Sequence, residues 1–181
     1  ITRNTRGMGQ LIDDLLAFSK ISRQPIEKTR TDMSALVRSA IEDARRLEPE
    51  RSIEFVVGSL PEAFVHPSLM KQVVDNLVLN AVKFTRGRTP ARVEIGFGDS
   101  PRGPAYFVRD NGAGFDMAYS QSLFAPFQRL HRAKEFEGIG LGLATAQRIV
   151  FRHGGRIWAE AALGSGASFY FTLQRPTPSA A

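Results

Sequence analysis

The sequence predicts an α+β two-layer sandwich: one mixed, largely antiparallel sheet with helices packed on one face, preceded by a further amphipathic helix. Three observations predict it. Behind that first helix, segments of helical and strand periodicity follow in the order helix, strand, helix, two strands, helix, two strands. Both strand pairs are joined by short glycine-bearing turns, at Ser100 to Pro104 and at Gly164-Ser165-Gly166, as antiparallel neighbours are. Finally, 181 residues at 43% hydrophobic supply one core of ordinary size.

Residues 1 to about 22 form the first helix. Met8, Leu11, Leu15 and Phe18 recur at spacings of three and four, flanked by Ile12, Leu16 and Ile21, with Arg6, Asp13, Asp14 and Lys20 on the other face. A lone helix this short is marginal in water, so its stripe needs a partner, either its own domain or a dimer bundle seam. Pro25 breaks it, and Arg23 to Arg30 makes a hinge or an entering edge strand. Thr31-Asp32-Met33-Ser34 offers N-cap chemistry for a helix over about Ser34 to Leu47, whose inner face carries Ala35, Leu36, Val37, Ala40, Ile41 and Ala44. Pro49 ends it. Ile53 to Val57 is β-rich and weakly alternating, hence a strand. Pro67 opens the next helix, about Ser68 to Thr85, since proline is well tolerated in a first turn. After Gly87 come strands at Arg92 to Phe97 and Ala105 to Val108. Residues 111–140 are glycine-punctuated and irregular, a length that compact domains usually reserve for function. A helix over about Leu141 to His153 stops at Gly154-Gly155, and strands at Arg156 to Ala161 and Ala167 to Leu173 close the domain. The Pro/Ser/Ala stretch at 176–181 is expected to be disordered.

Composition removes several classes of function. There is no cysteine, which excludes disulfides, thiolate metal sites and cysteine nucleophiles, and agrees with a cytoplasmic location. No run of about 18 apolar residues exists to span a bilayer as a helix, so any membrane association of the full-length protein is expected to come from an upstream region. The net charge of +6 fits nucleic acid, a membrane surface or a polyphosphate. Basic residues are spread along the chain without aromatic interleaving or a nucleic-acid module, so nucleic acid is not an expected partner.

Four segments carry candidate chemistry. In Asn76-Leu77-Val78-Leu79-Asn80-Ala81-Val82-Lys83, the polar residues Asn76, Asn80 and Lys83 fall at i, i+4 and i+7, on one helical face. Amide oxygens suit a hard cation and an ammonium suits phosphate, though a solvated polar stripe gives the same pattern. Asp110-Asn111-Gly112-Ala113-Gly114 follows a strand. Its Asp is able to accept from an exocyclic amine and its glycines permit close approach, yet on its own a plain Asp-Asn-Gly turn is the simpler reading. Gly138-Ile139-Gly140-Leu141-Gly142 runs straight into a helix, where exposed N–H groups favour an anion. Its spacing fits neither the Rossmann nor the P-loop pattern, and His131-Arg132-Ala133 is not a protein-kinase catalytic loop. In Phe124-Ala125-Pro126-Phe127-Gln128-Arg129, the two aromatics serve packing and Arg129 is either solvated or directed to a phosphate.

Taken in order, these segments resemble the N, G1, F and G2 boxes of sensor histidine kinases, members of the wider family that includes gyrase, Hsp90 and MutL ATPases. The resemblance runs from about Ser34 to Arg175 and includes Gly154-Gly155-Arg156-Ile157-Trp158 and Gly164-Ser165-Gly166-Ala167-Ser168-Phe169. Met8 to Ser19 resembles the second helix of a dimerisation hairpin in phytochrome-like and PAS-linked kinases. The resemblance implies four segments: a partial hairpin at 1–24, a linker at 25–33, a catalytic ATP-binding domain at 34–175 and the tail. It also implies ATP and Mg²⁺ as ligands. Asn80 would take the metal, with Asn76 and Lys83 at the phosphates. Asp110 would take the adenine amine, supported by Gly112 and Gly114. Residues Phe124 to Gly138 would form a lid, with Arg129 at phosphate, while Gly138, Gly140, Leu141 and Gly142 approach the triphosphate. Ser168 would join the water network at the adenine.

The resemblance also separates transfer from hydrolysis. ATP-hydrolysing relatives carry a glutamate general base one turn before the metal-binding asparagine; here that position is Asn76, which takes no proton at neutral pH. Asp75 is its neighbour, but adjacent residues point about 100° apart on a helix. The implied activity is phosphoryl transfer to a histidine on a dimerisation domain, for relay to a response regulator receiver domain, by a protein that is a homodimer at full length. His66, His131 and His153 stand in no acceptor context, so the chain is expected to be part of a longer kinase. A non-catalytic nucleotide-binding module and an anti-sigma-type serine kinase remain as alternatives, the second disfavoured by the hairpin-like helix.

Overall fold

The computed structural model describes residue 21 and residues 25–120, 122–128 and 140–174. The helix expected over residues 1–22 therefore lies outside the described residues except for Ile21, which is helical and buried, and the 176–181 tail lies outside them too. The elements are β1 (Thr29–Thr31), α1 (Met33–Leu47), β2 (Ile53–Val57), β3 (Ala63–Val65), α2 (Pro67–Phe84), β4 (Ala91–Gly98), β5 (Ala105–Asp110), a 3₁₀ turn at Met117–Tyr119, α3 (Gly142–Arg152), β6 (Ile157–Ala161) and β7 (Ala167–Phe171).

Strands β2-β4-β5-β7-β6 form one sheet in that order, and β1 pairs antiparallel with β3 as a separate short ribbon. β2 runs parallel to β4, because the chain crosses over through β3 and α2 between them; the other pairings are antiparallel. This is the expected mixed, largely antiparallel sheet, with three helices on it among the described residues. None of those helices is long and apolar enough to cross a membrane.

Helix α1 begins where Asp32 caps it, its carboxylate accepting from Ser34 N at 2.8 Å. It buries Val37, Ala40, Ile41 and Ala44 along one stripe. α2 lies between α1 and α3 and above β4 and β5, so it buries Leu69, Met70, Val73, Val74, Leu77, Val78, Ala81 and Val82. Its remaining polar positions face outward in two directions. On the α1 side, Lys71 Nζ bridges Asp43 of α1 at 2.9 Å and Asp75 of its own helix at 2.5 Å. On the other side stand Asn76, Asn80 and Lys83.

α3 is fastened to α2 at its far end. His153, only 1% exposed, donates from Nδ1 to Ile149 O at 2.7 Å and accepts the His66 backbone N–H on Nε2 at 3.0 Å. That pair of bonds requires a neutral ring with its proton on Nδ1. Alternation along the strands sorts the sheet into two faces. Val93, Ile95, Tyr106, Val108, Ile157, Ala159, Ala167, Phe169 and Phe171 face the helices. Ala105, Phe107, Trp158 and Tyr170 form a smaller cluster behind, where Trp158 and Tyr170 stack at 5.5 Å and Arg102 lies 5.4 Å over the indole.

Candidate functional site

Two of the candidate segments, the one that opens α3 and the one that follows β5, meet α2 at two places. At its middle, Asn76 turns its amide Nδ2 back to Gln72 O at 2.9 Å, which leaves Oδ1 directed at the start of α3. The approach there is close: a Cβ on Gly142 would lie 2.6 Å from Asn76 Oδ1. Leu141 is buried at the N-cap position of α3 and supplies no side-chain cap to the first N–H groups of that helix. Positive partial charge at a helix start thus stands beside a polar oxygen. Asn80 lies one turn further along α2, half-buried, and Lys83 follows with its Nζ 4.9 Å from the centre of the Phe84 ring.

At the C-terminal end of α2, the loop after β5 is docked onto the last turn. Ala113 N donates to Phe84 O at 3.1 Å, and a Cβ on Gly112 would lie 2.5 Å from that same oxygen. The loop also meets the turn between β6 and β7. Gly164 N donates to Ala113 O at 2.7 Å, and Gly114, at φ +63°, packs its Cα onto Ala162 O where no side chain fits. Asn111 is a structural staple: its Oδ1 accepts from Arg92 N at 2.9 Å and its Nδ2 donates to Pro90 O at 2.8 Å.

Asp110 is the last residue of β5 and is 5% exposed. Burial pushes its carboxyl up from 3.8 to about 6, against the lowering pull of the Gly112 and Ala167 backbone N–H groups. Gly112 N lies 2.8 Å from Oδ1. Among the described residues only backbone N–H groups are shown donating to this buried carboxylate and no cation pairs with it, which fits an amine-bearing ligand rather than a salt bridge. Among the described residues there is no group of three or more His, Asp or Glu able to hold a metal, so a cation here would rely on the asparagine amides and on ligand oxygens.

The segment that opens and the segment that closes the irregular stretch are joined. Phe127 N donates to Gly140 O at 3.0 Å, with Phe127 at φ +64° and Gly140 at φ +80°. A Cβ on Gly140 would lie 2.8 Å from Gln128 O. Arg129 and Gly138, with most of the expected lid, lie outside the described residues.

The structure thus brings Asn76 and Gly142 into contact, sets Gly112 against the end of α2 beside the Asp110 carboxylate, and packs Gly114 on the β6–β7 turn. It does not bring Ser168 to them. Ser168 lies on the face of the sheet away from the helices, where its Oγ accepts from Arg109 Nε at 3.1 Å; Ala167 is the residue on the Asp110 side. The implied role of Ser168 at the base is therefore corrected: strand alternation points it the wrong way. Sequence reasoning also missed Arg88, whose Nη2 donates to Gly112 O of this loop at 3.0 Å. An arginine in a Gly/Pro-rich connection carries no periodic signal.

An α/β sandwich with its polar helix face, buried strand-end aspartate and glycine-opened helix gathered on one side defines a nucleotide-binding class of domain. The chain belongs to the histidine kinase-, DNA gyrase B- and HSP90-like ATPase family, whose family model matches residues 65–177. It is 37% identical over 166 residues to cyanobacterial phytochrome A of Nostoc, covering 92% of this chain and 22% of that protein. It is 34% identical over 173 residues to the adaptive-response sensory kinase SasA of a Synechococcus strain, covering 93% of this chain and 46% of the relative. The chain thus spans between a fifth and a half of these curated relatives. Among solved structures, the mycobacterial sensor histidine kinase MprB superposes with a TM-score of 0.68 at 26% identity, covering 81% of this chain and 97% of that one. Full-length ShkA in complex with AMPPNP gives 0.72 at 28% identity over 90% of this chain and 34% of that one. Family and fold agree with what the resemblance implied.

Proposed function

We propose that this chain is the catalytic part of a sensor histidine kinase, moving the terminal phosphoryl group of ATP to a histidine of a dimerisation domain for relay to a receiver domain. The observation that carries the reading is the spacing of the two clusters on α2. Asn76, against the α3 start, and Phe84, against the Asp110 loop, are eight positions apart, about 12 Å of helix. A base-reading end and a phosphate-reading end are thereby held apart on one rigid element.

The residues present fit ATP and Mg²⁺. Asp110 accepts from the base amine, and Gly112 and Gly114 keep the loop close enough for the carboxylate to stay buried. Asn80 would offer an amide oxygen to the metal, as would Asn76 through the Oδ1 that its Nδ2–Gln72 bond turns toward the α3 start, while Lys83 and the N–H groups at Gly140 to Gly142 would hold phosphate. Mg²⁺ supplies charge neutralisation at the transferring phosphoryl group. Position 76 is an amide and cannot accept a proton from water. Asp75 is engaged by Lys71 at 2.5 Å on the α1 side of the helix. Neither residue provides a general base, which favours transfer to a protein nucleophile over hydrolysis.

The acceptor is expected to be on another segment of the full-length protein, in keeping with ShkA and SasA being longer than this chain. His153 is buried and hydrogen-bonded on both nitrogens, and His66 precedes α2 with its Nδ1 3.3 Å from Ser68 Oγ. The test is incubation with radiolabelled ATP and a separately supplied dimerisation hairpin bearing its histidine. Label is expected on the hairpin as an acid-labile, base-stable adduct and not on this chain. Label on His66 or His153, or nucleotide binding without any transfer, would contradict the reading.

A further inference from the structure

Arg88 lies in the connection between α2 and β4, half-buried, eight residues past Asn80. Its Nη2 donates to Gly112 O at 3.0 Å and also to Gly164 O. These two carbonyls belong to different segments, the loop after Asp110 and the β6–β7 turn. A single guanidinium therefore clasps both. Three further contacts meet at the same junction. Gly164 N donates to Ala113 O, Ala113 N donates to Phe84 O, and Gly166, at φ +85°, packs against Asp110 O where a Cβ would collide.

We infer that Arg88 is a positioning residue for base recognition: by clasping Gly112 and Gly164 it fixes the Asp110 loop against the end of α2. The inference deepens the nucleotide reading and rests on it. The physical case is one of register. Asp110 Oδ1 is oriented by Gly112 N at 2.8 Å, so the direction of the carboxylate follows the placement of Gly112. The peptide unit carrying Gly112 O is held at its N–H, on Ala113, by Phe84 O and at its oxygen by Arg88. Its charge makes that bond stronger than a neutral one, and its planar fork makes it directional. Without it the loop keeps its glycine contacts but loses the fixed aim of the carboxylate. Arg88 touches no ligand in this account and acts only through Gly112.

The consequence is selective. Loss of Arg88 falls on the contact between Asp110 and an exocyclic amine, not on phosphate or metal contacts at Asn76, Asn80 and the α3 start. Titration calorimetry with Mg-ATP and with the Mg complex of purine riboside triphosphate, which lacks the 6-amino group, separates the two. The wild type is expected to prefer ATP by about tenfold, the scale of one hydrogen bond to a charged group. In Arg88→Ala the ATP dissociation constant rises to near that of the analogue, while the analogue shifts by less than about twofold. Arg88→Lys, which keeps the charge but not the fork, recovers part of the preference. Equal weakening of both nucleotides in Arg88→Ala and Arg88→Lys would show a merely structural role and overturn the inference, as would an unchanged preference. A wild type that binds ATP and the analogue equally would overturn it too, because no amine contact would exist to position. A wild type that binds neither would bring down the nucleotide reading itself, and this inference with it.

Discussion

Replacing Asp110 by asparagine should make the ligand-free protein more stable while weakening its binding of ATP by about tenfold or more. Burial raises the Asp110 carboxyl to about 6, whereas an unfolded chain leaves it at 3.8. A group whose native pKa lies above its unfolded value is better tolerated as the neutral acid, so its ionisation above pH 6 costs the fold. Two units or so at about 1.4 kcal/mol each give a penalty on the order of 3 kcal/mol at pH 8. An amide of the same shape avoids it and still accepts from Gly112 N. Allowing for imperfect replacement, a gain of about 1–3 kcal/mol is expected, or roughly 3–8 °C in Tm for a domain of this size. The sign reverses with acid: as pH falls from about 6 toward 3.8 the wild-type carboxyl takes up its proton and the advantage of Asp110→Asn disappears. Thermal unfolding of both proteins at pH 8 and pH 4, beside ATP titration at pH 8, tests this. An Asp110→Asn protein less stable than wild type at pH 8 would refute the reasoning, as would a gain that persists unchanged at pH 4.

Two other perturbations separate the site from the scaffold. Gly142→Ala places a methyl group 2.6 Å from Asn76 Oδ1, and the flexible amide must yield. The Tm should hold, since alanine gains up to about 1 kcal/mol over glycine in a helix, while the Mg-ATP dissociation constant rises by about tenfold or more; an unchanged affinity would remove the Asn76 oxygen from the site. His153→Ala strands the His66 N–H and empties a buried ring volume, costing on the order of 3 kcal/mol by urea denaturation. Wild-type stability should also fall as pH drops below 6.5. Burial, with the positive charges of Lys28, His66 and Arg152 facing the ring, lowers the His153 pKa against the raising pull of Ile149 O, so the fold resists the proton that the unfolded chain accepts. The slope attributable to this ring vanishes in His153→Gln, and its survival there would assign it elsewhere.

Much of the fold was legible because apolar spacing marks elements that bury one face. α2 and α3 were readable from their periodicity, with Pro67 opening the first and Gly154 closing the second. What escaped was set by contacts distant in sequence. β3 is three residues, too short for alternation to register, and β1, which the sequence left open between a hinge and an entering strand at Arg23 to Arg30, is a strand because Thr29 to Thr31 finds Ala63 to Val65. The parallel pairing of β2 with β4 is a property of the crossover, not of either strand. At the site, glycine spacing revealed Gly112, Gly114, Gly140 and Gly142, each of which the structure places where a Cβ would crowd a neighbour. Ser168 was misread although its parity was available: Phe169 and Phe171 face the helices, so Ala167 does and Ser168 does not. Arg88 could not be found that way, because its two acceptors are backbone carbonyls 24 and 76 residues distant.

The central claim is that Asp110 and the face of α2 form one nucleotide site. Calorimetric titration of the chain with ATP and ADP, with and without Mg²⁺, beside Asp110→Asn, tests it most directly. The account predicts micromolar to high-micromolar binding, on the order of −6 to −8 kcal/mol, strengthened for ATP by Mg²⁺ and weakened by about tenfold or more in the variant. Binding that survives intact in Asp110→Asn, or no binding by the wild type, would contradict it.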